Sequence, residues 1–249
     1  MASNDQLPSA RIVRFAPEAS PSVEARVKEP GLASILKPGS AAFEPFRVLR
    51  TKLQTLDAAS PLRCVGLVSA TGGEGTSTIA LGLAAALAQQ GELRVLLVEA
   101  RLQAPSLEGK LGLMKLPGLG DWLETGGERQ LMVRRMVPWG FHLLGAGGAA
   151  RASTLLGSET MRRFIEIARE SFDFVLFDCP PFESGADSVV LQGLLDGLLL
   201  VVRARHASRD TIRQALAGIE PSRVRCVAFN DRTHVLARWL NRRRPRPQG

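Results

Sequence analysis

Apolar residues run along this chain in short unbroken blocks, separated by segments whose apolar positions recur every three or four residues. RCVGLVSA (63–70), RVLLVEA (94–100), FDFVLFDC (172–179), GLLLVVRA (197–204) and RVRCVAFN (223–230) each have strand length, and GFHLLGAG (140–147) is a weaker member of the set. Continuous apolar runs of this length predict strands covered on both faces. Between them, TIALGLAAALAQQ is rich in Ala and Leu and stops at Gly91, ETMRRFIEIARES (159–171) is amphipathic, and RDTIRQALAGI follows Ser208; all three are predicted helices. Upstream, AAFEPFRVLRTKLQTL gathers Phe43, Phe46, Val48, Leu49, Leu53 and Leu56 at helical spacing, with Pro45 tolerable only in the first turn. The alternation predicts an α/β fold: a mostly parallel sheet with helices on both faces.

The pattern also sets the expected boundaries. Residues 1–40 mix Pro, Ser, Ala, Glu and Arg without sustained periodicity and are expected to be a flexible arm. The domain is expected over 41–235, and a basic tail ending NRRRPRPQG over 236–249. The longest apolar stretch, Val189 to Val202, is broken by Gln192 and Asp196 and is shorter than the roughly 20 residues of a spanning helix. Nor do the first residues show a basic start leading into an apolar core, so no secretory signal is read and a cytoplasmic location is expected.

Composition adds little to fold class but narrows the chemistry. With 249 residues, 45% hydrophobic and 22% charged, the chain is an ordinary globular sequence large enough for one substantial core. Cys64, Cys179 and Cys226 are an odd, widely spaced set, read as small buried hydrophobes rather than as a disulfide or zinc site. His142, His206 and His234 are scattered and receive no role. The net charge of +8 is concentrated in the tail, where Val235, Leu236, Trp239 and Leu240 lie at helical spacing beside Arg238 and Arg242 to Arg244. That pattern suits an anionic membrane surface or a final packed helix; no nucleic-acid partner is expected. The sequence contains no tyrosine at all.

Candidate chemistry sits in SATGGEGTST (69–78), between the first predicted strand of the core and the Ala-rich helix. A glycine-rich strand-to-helix turn lets successive backbone N–H groups face a phosphate at a helix N-terminus. Gly72, Gly73 and Gly75 supply that cradle, and the candidate nucleotide-binding set is Gly72, Gly73, Glu74, Gly75, Thr76, Ser77 and Thr78. In GxxxxGK[ST] a lysine reaches the β- and γ-phosphates and the next hydroxyl holds magnesium. Here Ser77 keeps the hydroxyl, Thr76 occupies the lysine's place, and Ala70 replaces the first glycine. Asp178 ends an apolar strand where a carboxylate can reach magnesium, so Ser77, Asp178 and Glu99 form the candidate metal set.

VLLVEARLQAPSL (95–107), FDFVLFDCPP, ADSVVLQGLLDGLLLVVRA and Asn230, in that order after the loop, resemble the bacterial tyrosine kinase family of capsular and exopolysaccharide biosynthesis. This family is a branch of the P-loop group that includes the MinD and ParA ATPases. The similarity runs from about Gly39 to Asn230 and takes in PGLGDWLETG and TLLGSETM. Glu44, Arg47 and Arg50 match the ExxRxxR motif through which family members assemble into rings; residues three apart share one helix face. The resemblance implies a P-loop architecture, ATP or ADP with magnesium, a homo-oligomer, and work beside an inner-membrane, Wzz-like polysaccharide co-polymerase.

The departures fall on the chemistry. The family loop resembles PGEGKST against GGEGTST here, and Thr71 stands where the MinD and ParA pattern has its extra lysine. The second acidic motif, close to DADLRRP in the kinases, reads EARLQAP: Glu99 keeps one carboxylate and Arg101 replaces the other. The tyrosine cluster that such kinases phosphorylate in trans has no counterpart. The expectation is a degenerate member without catalytic residues, with magnesium-nucleotide binding weak or absent, acting as an oligomeric partner at the inner membrane. Two alternatives stand beside it: an active kinase or ATPase with a rearranged site in which Arg101 replaces the lysine, and a MinD- or ParA-like positioning protein.

Overall fold

Three of the apolar blocks are buried at every strand position in the computed structural model: β2 (Cys64–Ser69), β3 (Val95–Glu99) and, further along, the short β5 (His142–Leu144). The structure describes residues 15–56, 62–89, 91–148 and 152–231. In chain order the elements are β1 (Ser22–Glu24), α1 (Pro30–Leu36), α2 (Glu44–Thr55), β2, α3 (Thr76–Ala88), β3, α4 (Leu107–Lys110), α5 (Leu119–Glu124), β4 (Arg134–Val137) and β5. They continue with α6 (Ala152–Leu156), α7 (Glu159–Ser171), β6 (Phe174–Asp178), α8 (Ala186–Leu194), β7 (Gly197–Arg203), α9 (Arg209–Leu216) and β8 (Val224–Asn230). One eight-stranded sheet has the order β1-β4-β5-β3-β6-β2-β7-β8. All neighbours are parallel except β4 and β5, so β1 and β4 run against the other six strands. The α/β prediction of a mostly parallel sheet with helices on both faces holds, except that the edge strand β8 is not covered on both faces as expected: none of its residues is buried, and Val227 and Phe229 are exposed.

Strand alternation divides the core into two layers. One face places Val68, Leu96, Val98, Val175, Phe177 and Leu198 against Trp122 of α5 and Met161, Phe164 and Ile165 of α7. The other places Val65, Leu67, Val95, Leu97, Leu176 and Leu199 against α1, α2 and the Ala-rich α3. The small side chains of α3 let it lie between sheet and α2, which is why its apolar residues go all the way round. α7 and α9 begin where Ser158 and Ser208 accept hydrogen bonds from the backbone N–H of Met161 and Thr211, at 3.2 and 3.0 Å.

The N-terminal expectation needs correction over residues 15–40. β1 pairs with β4, α1 buries Leu32 and Leu36, and the Phe15 ring packs edge-on against Phe164 and Phe172 at 5.8 and 5.6 Å. Trp139 donates its indole N–H to the Leu36 carbonyl at 2.6 Å. Apolar anchors this far apart leave no periodicity, yet each fills a place on a surface made by later elements. Residues 1–14, His234 and the basic tail with its amphipathic pattern lie outside the described residues. No helix among the described residues is long and apolar enough to cross a membrane.

Candidate nucleotide-binding site

The parallel strands bring the candidate residues to one edge of the sheet. Glu99 ends β3 and Asp178 ends β6, directly paired across the sheet; Ser69 ends β2; Arg203 and Asn230 are paired at the ends of β7 and β8. This is the carboxyl end of an open α/β sheet, where ligands bind. The loop 70–75 rises there from β2 into α3, with Gly73 and Gly75 at φ 79° and 94°, in the left-handed region that a side chain disfavours.

Glu74 braces the loop from within. Its carboxylate is buried; Oε1 accepts from the Thr71 backbone N–H at 2.9 Å and the Thr71 hydroxyl at 3.2 Å, while Oε2 accepts from the Arg203 N–H at 2.9 Å. The Asn230 amide donates to the Glu74 carbonyl at 2.8 Å, and the Arg203 guanidinium to the Gly73 carbonyl at 3.0 Å. His206 Nε2 lies 2.7 Å from the Gly72 carbonyl oxygen, and the Gly72 N–H donates to Glu183 at 2.5 Å. Glu74 is therefore committed to loop shape. Glu183, Arg203 and His206 escaped the sequence reading; the one available signal was the position of Arg203 at the end of a predicted strand.

Thr76 opens α3 with its side chain buried and uncharged. The next residue, Ser77, is nearly buried, and its hydroxyl is met by the Arg101 guanidinium at 3.4 Å and the Ser106 hydroxyl at 3.0 Å. Thr78 is half-buried in the same turn. Glu99 accepts hydrogen bonds from the backbone N–H groups of Ser106 and Leu107. Burial raises its pKa to about 7 despite those donors. Asp178 has no solvent exposure, and neither carboxylate oxygen makes a regular hydrogen bond among the described residues. Burial pushes its pKa up to about 6 against the pull of the nearby Ser77 hydroxyl and of the Arg101 and Lys110 charges.

As a magnesium site this donor set fits poorly. Glu99 is spent on backbone groups, and the described residues hold no cluster of three or more His, Cys, Asp or Glu side chains placed for a metal. A dication on Ser77 would face the Arg101 guanidinium across about 4 Å, a repulsion of about 8 kcal/mol at an effective dielectric of roughly 20.

The ExxRxxR residues separate into two roles. Glu44 and Arg47 are exposed and pair with each other at 3.0 Å. Arg50 turns inward and donates to the Ala86 carbonyl of α3 at 3.1 Å.

No family model matches the chain. Among curated proteins, the tyrosine-protein kinase YwqD of Bacillus subtilis is 29% identical over 183 residues, covering 73% of this chain and 77% of the relative. The putative tyrosine-protein kinase EpsB of Ralstonia solanacearum is 31% identical over 196 residues, covering 78% of this chain and 26% of the relative. The solved kinase domain of the Escherichia coli tyrosine kinase Etk superposes with a TM-score of 0.73 at 24% identity, over 83% of this chain and 81% of that one. The chain's homologues are thus proteins named as bacterial tyrosine kinases, and its fold matches a solved kinase domain of that kind. The succinoglycan biosynthesis transport protein ExoP of Rhizobium meliloti is a further relative, 31% identical over 72% of this chain and 23% of its own length. The chain thus spans about a quarter of EpsB and of ExoP. Pyrococcus horikoshii MinD, solved with Mg-ADP, shares the fold with a TM-score of 0.54 at 20% identity, over 67% of this chain and 68% of that one.

Proposed function

We propose that this chain is a kinase-like P-loop domain of exopolysaccharide or capsule biosynthesis that has given up phosphoryl transfer. In this reading it binds nucleotide as a signal and works as a homo-oligomeric cytoplasmic partner of an inner-membrane polysaccharide co-polymerase. The observation that carries it is Thr76, a buried neutral side chain at the position from which a lysine would neutralise the transferring phosphoryl group. Phosphoryl transfer depends on charge neutralisation and positioning, so the loss falls on the terms that lower the barrier. The absence of tyrosine removes autophosphorylation on tyrosine as an output.

What remains is assembly. Glu44 and Arg47 stand exposed on one face of α2, open to a neighbouring copy. The basic tail 236–249 adds a contact to anionic lipid; a chain lacking it is expected to lose flotation with anionic vesicles, and unchanged flotation removes the lipid contact from the proposal.

The deciding experiment measures ATP hydrolysis and phosphate transfer to a tyrosine peptide by the purified protein, beside sedimentation with and without ADP. Nucleotide-dependent assembly without turnover supports the reading. Turnover abolished in Asp178→Ala supports instead an active enzyme with a rearranged site, a reading favoured by the single observation that Arg101 reaches Ser77.

A further inference from the structure

We propose that the Arg101 guanidinium stands in place of a divalent cation, so that this chain holds a nucleoside diphosphate without magnesium. The inference rests on reading the loop as a nucleotide site and adds how the phosphates are held there.

Four side chains meet at the mouth of the loop: Ser77, Arg101, Ser106 and Asp178. The Ser77 hydroxyl accepts from Arg101 at 3.4 Å and sits 3.0 Å from the Ser106 hydroxyl. Asp178, wholly buried and without a regular hydrogen bond among the described residues, lies in the field of Arg101 and Lys110. A buried carboxylate needs a compensating cation or donors, and these two side chains are the cations this chain brings. Arg101 stays partly exposed.

A guanidinium suits the task. It is permanently protonated and has five N–H donors in a planar fork that matches phosphate oxygens two at a time. One of those donors is engaged by Ser77. Others can serve Asp178 and a phosphate, linking hydroxyl, carboxylate and ligand as a metal would, with each contact a charge-assisted hydrogen bond. Sited on the loop after β3 and spanning to α3, Arg101 also ties the phosphate to two elements that can report its arrival. No covalent step is implied.

The test is calorimetric titration of ADP into the full chain, once in excess magnesium and once in EDTA. Wild type is expected to bind with the same affinity, within about twofold, in both. Arg101→Ala is expected to weaken binding in EDTA by about tenfold, the effect of losing one charge-assisted contact. Arg101→Lys, which keeps the charge without the fork, is expected to fall between them and to remain indifferent to magnesium. Arg101→Asp is expected to bind only with magnesium, and thermal melts confirm that each variant is folded. Wild-type binding that requires magnesium, or binding unchanged in folded Arg101→Ala, overturns the inference while leaving the nucleotide site intact. No binding in either buffer overturns both the inference and the nucleotide-sensing part of the proposed function.

Discussion

The Phe46 ring of α2 lies against Gly82 of α3, so closely that a Cβ on Gly82 would run into three of the ring's carbons. The two helices cross at the one residue of α3 without a side chain, and this contact seats the face bearing Glu44 and Arg47. Gly82→Ala improves helix propensity by about 1 kcal/mol but forces the ring outward, an overpacking cost of roughly 1–3 kcal/mol. The net expectation is a lower Tm, together with weaker self-association as α2 tilts. Phe46→Leu in the same background is expected to recover part of both. A Gly82→Ala protein that melts and sediments like wild type contradicts the close crossing.

Arg50 and Arg47 are three residues apart on α2 and are expected to behave differently. Arg50 donates to the Ala86 carbonyl from a half-buried position, whereas Arg47 reaches only exposed Glu44. Arg50→Ala leaves a carbonyl near the end of α3 without that donor and is expected to lower stability by about 1 kcal/mol, a Tm drop of roughly 3 °C. Arg47→Ala and Glu44→Ala break an exposed pair of little thermodynamic weight, so their Tm stays at the wild-type value. Their effect is expected in sedimentation, as loss of oligomer. Thermal melts of the three single variants separate the two roles; an equal Tm loss for Arg47→Ala and Arg50→Ala contradicts the division.

The core strands and the helices α2, α3, α7 and α9 were legible because burial on both faces, or on one stripe, writes itself into apolar spacing. β1 and β4 were not: SVE and RRMV carry no run of their own and take strand form only by pairing along the sheet edge. The same distinction governs the site. The glycine loop, Asp178 and Glu99 could be picked out because they sit at or beside strand ends. Glu183, Arg203 and His206 reach the loop from 111, 129 and 134 residues away, a proximity created by strand order alone. Arg101 was visible as a substitution, but its contact with Ser77 required the β3 and α3 ends to be placed side by side.

Asp178 bears on the relation between stability and ligand. Its carboxylate is fully buried without a regular hydrogen bond, and burial raises its pKa from 3.8 to about 6. A raised carboxyl pKa means the folded state binds the proton more tightly than the unfolded chain, so stability falls as pH rises between 3.8 and about 6. Asp178→Asn removes the buried charge and is expected to raise the Tm at pH 8 by roughly 5 °C while leaving little difference near pH 4. The same variant is expected to weaken ADP binding, because Arg101 loses the carboxylate that holds its fork toward the loop. A lower Tm for Asp178→Asn at pH 8 means that the charge is better compensated than the structure indicates.

His142 gives the opposite sign. Its ring is buried edge-on to Phe172 at 5.3 Å, and Nε2 lies 3.1 Å from the Pro17 carbonyl in the segment before β1. Burial lowers its pKa below the usual 6.5, opposed by the Pro17 and Val95 carbonyls and by Glu18, and assisted by the charge of Arg135. The unfolded chain therefore takes up the proton first. Stability is intact above pH 6.5 and is lost as pH falls below it, until the folded protein is protonated as well. Asp178 and Glu99 slope the other way over this window, so the His142 contribution is read as the Tm difference between wild type and His142→Gln. That difference is expected to move against wild type between pH 6.5 and 5.0, while the segment ahead of β1 gains hydrogen exchange in wild type as the Pro17 contact opens. His142→Gln keeps a donor for the Pro17 carbonyl but cannot titrate, so its gain in exchange is expected to shrink. A Tm difference that stays constant over the interval assigns the acid response to groups other than His142, and unchanged exchange before β1 removes the coupling between His142 and the N-terminal segment.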